Sequence, residues 1–249
     1  MLKKITVAIA LTGLMAGAAY AGISAGTGIN GSRHDMNAIT GTAKDGMLRS
    51  CVFCHTPHNA AATLDGPLWN RATTLLNPAA YGWIAPANSA ITIADPLVGP
   101  TRLCMSCHDG SIAYDSHNGS IGANAAAPGT VFLGATHRAH VDIAVTHPIG
   151  FQYALAVTKR PGELVPITGS FISGPSTDLA ANTFDTKART IAAAGRKIAD
   201  TLYQGNVTCA SCHEVHNTNN AVSDTGKTYN YFLNAREEGS AICLSCHIK

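Results

Sequence analysis

Eight cysteines stand in four pairs of identical spacing, and a histidine follows the second cysteine of each: Cys51-Val52-Phe53-Cys54-His55, Cys104-Met105-Ser106-Cys107-His108, Cys209-Ala210-Ser211-Cys212-His213 and Cys243-Leu244-Ser245-Cys246-His247. No cysteine is left over. Two thiols three positions apart with an adjacent imidazole suit one chemistry closely. The thiols add across the two vinyl groups of haem as thioethers, and the imidazole ligates the iron. Zinc ribbons and thioredoxin-like sites also use paired cysteines, but neither needs histidine after every second one. A disulfide framework does not need it either. With 11 histidines in 249 residues, chance places histidine at all four positions on the order of a few times in a million. The expectation is four c-type haems held by Cys51, Cys54, Cys104, Cys107, Cys209, Cys212, Cys243 and Cys246, with His55, His108, His213 and His247 as proximal iron ligands.

Seven histidines remain for the far face of each iron: His34, His58, His117, His137, His140, His147 and His216. Beyond residue 21 the methionines are Met36, Met47 and Met105, and Met105 lies inside a pentad, so bis-histidine coordination is expected throughout. His58 and His216 each follow a proximal histidine by three positions, in Cys-His-x-x-His-Asn at 54–59 and 212–217. Residues three apart on a helix share a face, whereas two axial ligands approach an iron from opposite faces. His58 is therefore expected on haem 2 opposite His108, and His216 on haem 4 opposite His247. His147, in Thr146-His147-Pro148 where proline stiffens the backbone, is expected on haem 1, with His137 or His140 as alternatives. His34 remains for haem 3. His117, His137 and His140 are surplus.

Elements able to position these groups are short. Residues 1–21 read as a secretory signal peptide, with Lys3 and Lys4 ahead of the apolar run Ile5 to Leu14 and an Ala19-Tyr20-Ala21 cleavage site. That apolar run is too short to span a bilayer, and no later stretch is long enough. Export fits c-type haem attachment, which takes place outside the inner membrane. Without Lys3 and Lys4 the remaining chain carries 15 basic and 15 acidic residues, with no basic patch to suggest a nucleic-acid partner. Aromatics make up only 6%, a poor core for this length unless porphyrins add apolar surface. Residues 22–33 read as a flexible lead-in. Thr130 to Leu133 and Ile149 to Val157 read as short strands, and Thr186 to Tyr203 as a helix with Ile191, Ala194, Ile198 and Leu202 on one face. The expected fold is mostly irregular coil with short α-helices and few strands, wrapped around four stacked haems. It forms one domain over 22–249, with two-haem units near 22–150 and 200–249 joined by a linker at 151–199. The shared Cys-His-x-x-His-Asn of pentads one and three, and the Ser-Cys-His of pentads two and four, suggest a duplicated two-haem unit.

Several longer stretches are similar to a known family. Cys51 to His58 followed by Gly66-Pro67-Leu68-Trp69-Asn70, Cys104 to Gly110, Thr146 to Phe151, and Ser32-Arg33-His34-Asp35 together resemble the OmcE-type tetrahaem nanowire cytochromes of the outer surface of metal-reducing bacteria. The resemblance covers essentially the whole chain beyond the signal. It implies a head-to-tail homopolymer with a continuous haem stack, in which an N-terminal histidine of one subunit caps a haem of the next. Carried over, that residue is His34 and its target haem 3 of the adjacent subunit. His137-Arg138-Ala139-His140 departs from the family pattern and leaves the linker ligands open.

Three functions follow for comparison. The first is a filament at the cell surface that conducts electrons from donors in the cell envelope to extracellular acceptors. The second is a monomeric periplasmic shuttle, in which His34 ligates within its own chain. The third is a haem reductase, which needs an open iron position; the histidine surplus forces no such vacancy, so no enzyme is expected. The exported protein should lose residues 1–21 and gain four haem masses, which intact mass spectrometry reads directly; fewer haems would break the motif argument.

Overall fold

The computed structural model describes residues 28–58, 60–61, 68–72, 74, 91, 93, 95–117, 131–133, 146–169, 197–216, 232–234 and 240–249. The signal peptide, His137, His140 and residues 186–196 of the expected helix lie outside the described residues.

Every pentad is wound into a helical turn. Pentad one begins in a 3-10 turn, Ser50–Phe53, and pentad two closes helix α1, Pro100–His108. Helix α2 is Tyr153–Lys159, between the pairs of pentads. Pentad three forms α3, Cys209–Cys212, and pentad four runs through α4, Ala241–Leu244. In pentads one, three and four the histidine N–H closes the turn onto the carbonyl of the first cysteine, at 2.9, 3.0 and 2.8 Å. A turn of this kind sets both thiols, three positions apart, on one side. Among the described residues no helix is long and apolar enough to cross a membrane.

Four-residue helices have no stability of their own, so other segments must brace them. Pentads one and three share one brace. His55 bridges antiparallel to Trp69, and His213 to Leu233. Thr56 N donates to Leu68 O and Asn70 N to Cys54 O, both at 2.8 Å; Glu214 N donates to Phe232 O and Asn234 N to Cys212 O, both at 2.7 Å. Buried Asn70 and Asn234 then turn their side-chain amides onto the turns themselves. Asn70 donates to Val52 O, and Asn234 to Ala210 O at 3.2 Å and Ser211 O at 3.0 Å. Leu68 and Phe232 take the same left-handed backbone, φ 56° and 58°, uncommon for such side chains. Pentad two instead uses a longer helix, opened by Pro100 at its first position, where a missing N–H costs nothing. Gly99 before it has φ +55°, and a Cβ there would meet the Tyr203 ring at 2.3 Å. Helix α3 leans on α1 through Cys209 N, which donates to Thr101 Oγ1 at 3.2 Å.

Two small apolar clusters pack among the described residues. Met36, Val52 and Phe53 pack with Ile39 and Tyr114 beneath pentad one. Phe151, Tyr153, Ala156, Ile198 and Val207 gather Leu164, Val165, Ile242 and Cys246 around pentads three and four. The lead-in is fastened from residue 28 onward. Gly31 N donates to Asp35 Oδ2 at 3.0 Å, and Ala43 N reaches Asp115 Oδ2 at 2.8 Å.

Three expected elements differ. Over Ile149 to Val157 the chain enters α2 at Tyr153 instead of running as a strand. Tyr153 and Ala156, three apart, are buried while Leu155 is exposed, a helical period, and Ala-Leu-Ala favours helix. Residues 131–133 form no strand; Val131 O only accepts from Tyr114 N at 2.9 Å. The end of the expected helix, 197–203, is a 3-10 turn at Ile198–Thr201 between extended Lys197 and Leu202. Here Ile198 N and Ala199 N donate to Gly169 O and Ile167 O, which diverts the N–H groups that a continuing helix would need. Phe53 is fully buried, so Phe53→Ala should cost about 3 kcal/mol or more, read as a lower midpoint in urea unfolding.

Candidate metal-ligating histidine pairs

Three pentad histidines each face a second imidazole. His34 and His108 have ring centres 6.0 Å apart, His55 and His216 6.2 Å, and His147 and His247 6.3 Å. A metal–imidazole bond of about 2 Å, plus about 1 Å from nitrogen to ring centre, sets two trans ligands roughly 6 Å apart. The spacing therefore fits one metal between each pair. Two protein ligands per centre is also the number an iron needs when a macrocycle supplies four equatorial nitrogens. Among the described residues, no three His, Cys, Asp or Glu side chains converge as a site for a bare ion.

The pairs differ from the sequence expectation. His216 stands by His55 and not by His247; His147 stands by His247 and not by His55. His34 lies against His108 of its own chain, with its ring also 4.9 Å from Phe232. His58 is exposed on the bend leaving pentad one, its carbonyl accepting from Thr56 Oγ1 at 2.7 Å. His216 thus reaches across from pentad three to the ring of pentad one. Backbone pairing explains His147: Gly150 N donates to Val207 O at 2.8 Å and Val165 N to Cys246 O at 2.9 Å, which lays the 146–165 segment along pentads three and four.

Local hydrogen bonds prepare two of the far rings. His147 Nδ1 lies 2.9 Å from the carbonyl of Pro148, which can only accept, so the neutral ring keeps its proton on Nδ1. His216 Nδ1 lies 3.0 Å from the buried carboxylate of Glu214, with the same result. In both, Nε2 keeps the lone pair that a metal needs, and the partner fixes the ring's orientation. Burial, followed by the neighbouring His108, His213 and His216, pushes His34 down to about 4. It thus stays neutral, and its buried Nδ1 has no hydrogen-bond partner. Burial and the nearby His147 also lower His247.

All eight thiols are free of disulfides. Burial pushes Cys54 up to about 11 and Cys212 up to about 12. Cys104 and Cys209 hydrogen-bond each other where α1 meets α3, which raises Cys104 and lowers Cys209. Paired unbridged thiols beside imidazole pairs of this spacing fit haem c at each position where the far ring is described.

Sequence reasoning missed several supporting residues. Asn70 and Asn234 carry a readable signal, since Leu-Trp-Asn and Phe-Leu-Asn follow the two Cys-His-x-x-His-Asn motifs. Asp45 and Arg71 carry none. Asp45 is buried, chelates Arg49 through Nε at 2.9 Å and Nη2 at 2.6 Å, and lies 3.5 Å from Nε2 of buried His117. His117 packs edge-on to Phe53, ring centres 4.7 Å apart.

The Arg49 hydrogen bond holds the Asp45 carboxyl well below the usual carboxylate range. Its stabilisation is complete above the unfolded value of about 4 and is lost as pH falls through the folded value. Asp45→Asn should lower stability at pH 7 and flatten the acid limb of a stability–pH curve, as urea titrations would show. A scan against protein-family models gives no match to this chain, and a search of curated proteins gives none either.

Proposed function

We propose that this chain is a tetrahaem c-type cytochrome that passes electrons from haem to haem and binds no substrate at iron. The observation that carries the reading is the spacing of three imidazole pairs, 6.0 to 6.3 Å, each with one ring from a Cys-x-x-Cys-His turn. In this reading His55 and His216 cap haem 1, His108 and His34 cap haem 2, and His247 and His147 cap haem 4. His58 caps haem 3 opposite His213, by the reciprocal of the crossing that brings His216 to pentad one. Each haem supplies a one-electron couple; the chain's thiols anchor it, its imidazoles fill both axial positions, and Glu214 and the Pro148 carbonyl hold two rings in register. Ligation by two histidines without methionine keeps the potentials low. Filled axial positions leave no room for a reductase substrate. Buried thiols with raised pKa are poor nucleophiles, so thioether formation belongs to the chain before it closes.

In the first form of this reading the chain is a self-contained carrier, exported and working between envelope donors and acceptors outside the inner membrane. The head-to-tail filament is the second reading. Met47, Leu48 and Leu68 favour it, because they stand 61%, 66% and 52% exposed around pentad one, an apolar surface that a second copy would cover. A heterologous contact that does not close extends into a fibre.

The test begins with haem content. Four haems per chain and a ferric spectrum entirely low-spin are expected; a chain without covalent haem overturns the reading. His58→Ala should leave one haem of four high-spin and the other three unchanged. Electron microscopy of exported material separates the two forms, dispersed particles supporting the carrier and fibres the filament.

A further inference from the structure

Arg71 is a cation sealed in the protein with no anion against it among the described residues. It is 4% exposed. Its guanidinium donates to the carbonyls of Phe53 at 3.2 Å, Tyr114 at 3.0 Å and Ala113, and to Ser116 Oγ at 3.2 Å, all neutral oxygens. Among the described residues no carboxylate pairs with it, and its buried Nε has no hydrogen-bond partner. Buried charges are ordinarily paired, so an uncompensated guanidinium calls for a reason. Its position supplies one. Phe53 immediately precedes Cys54, and Ala113, Tyr114 and Ser116 follow the second pentad, so the charge occupies the seam between pentads one and two. Its field reaches both, opposing the effect of burial on the Cys54 and Cys107 thiols.

We propose that Arg71 sets the reduction potentials of the haems at pentads one and two above those at pentads three and four. The inference rests on the tetrahaem reading. Each iron passes from ferric to ferrous by taking one electron from a reduced neighbour or an external reductant, and no proton moves at Arg71. A guanidinium cannot release its proton, and away from solvent its attraction for that electron is little screened. The duplicated brace makes the asymmetry plain. Leu68-Trp69-Asn70 is followed by Arg71, whereas Phe232-Leu233-Asn234 is followed by Ala235. The sequence therefore repeats the brace without repeating its arginine, and electrons collect in the first half.

Spectroelectrochemical titration of the holoprotein against dithionite tests this, after haem counting. R71Q keeps amide donors and removes the charge; it should lower one or two of the four midpoint potentials and leave the others in place. R71K should restore them. S116D sets a carboxylate at the intact guanidinium and should lower the same potentials. Unchanged potentials in R71Q and S116D at four haems per chain overturn the proposal, as does an equal fall at all four haems. If R71Q does not load four haems, S116D alone decides. A wild-type count below four overturns the tetrahaem reading instead, so the two failures are distinct.

Discussion

The structure depends on remote segments closing onto short helical turns, which sets a second imidazole 6.0 to 6.3 Å, ring centre to ring centre, from three pentad histidines. Each near ring sits on a turn too short to hold itself. Each far ring arrives from a remote segment: His34 from the N-terminal arm, His147 from the stretch before α2, His216 from the turn after pentad three. The connecting backbone is therefore mostly turns and bridges, since its work is to deliver rings and brace turns. The brace repeated at Asn70 and Asn234 shows the economy of that solution, with one buried amide closing onto the carbonyls of each turn.

Charge is placed by the same logic of burial. Rings meant to ligate must be neutral, and burial keeps His34 so, while Glu214 and the Pro148 carbonyl choose the tautomers of His216 and His147. Asp45 and Arg71 then illustrate two fates of a buried ion. Asp45 is satisfied by the Arg49 guanidinium and pins the arm that carries His34. Among the described residues Arg71 is satisfied by neutral oxygens, in the seam between the first two pentads. A charge paired in place stabilises the fold; one left unpaired projects a field.

Secondary structure was legible where local period and packing agree. The pentads were readable as turns because their spacing is chemical. Ile149 to Val157 was not readable, because a short apolar run satisfies strand and helix alike until burial of Tyr153 and Ala156 decides between them. The end of the expected helix near Ile198 failed for another reason: its N–H groups bond to carbonyls at 167–169, a partner no window of sequence contains.

The sequence by itself determined the reactive groups: eight thiols in four equal pairs, a histidine beside each pair, and the two histidines three positions on that cannot turn back on their own turn. Those follow from covalent spacing and the geometry of a single turn, which are local. Only the tertiary structure decided which remote rings stand beside pentad histidines, His34 by His108, His216 by His55 and His147 by His247, and that Arg71 is buried with no carboxylate against it among the described residues. Such facts depend on contacts between segments far apart in the chain, and their distance and sign exist only once the backbone has closed.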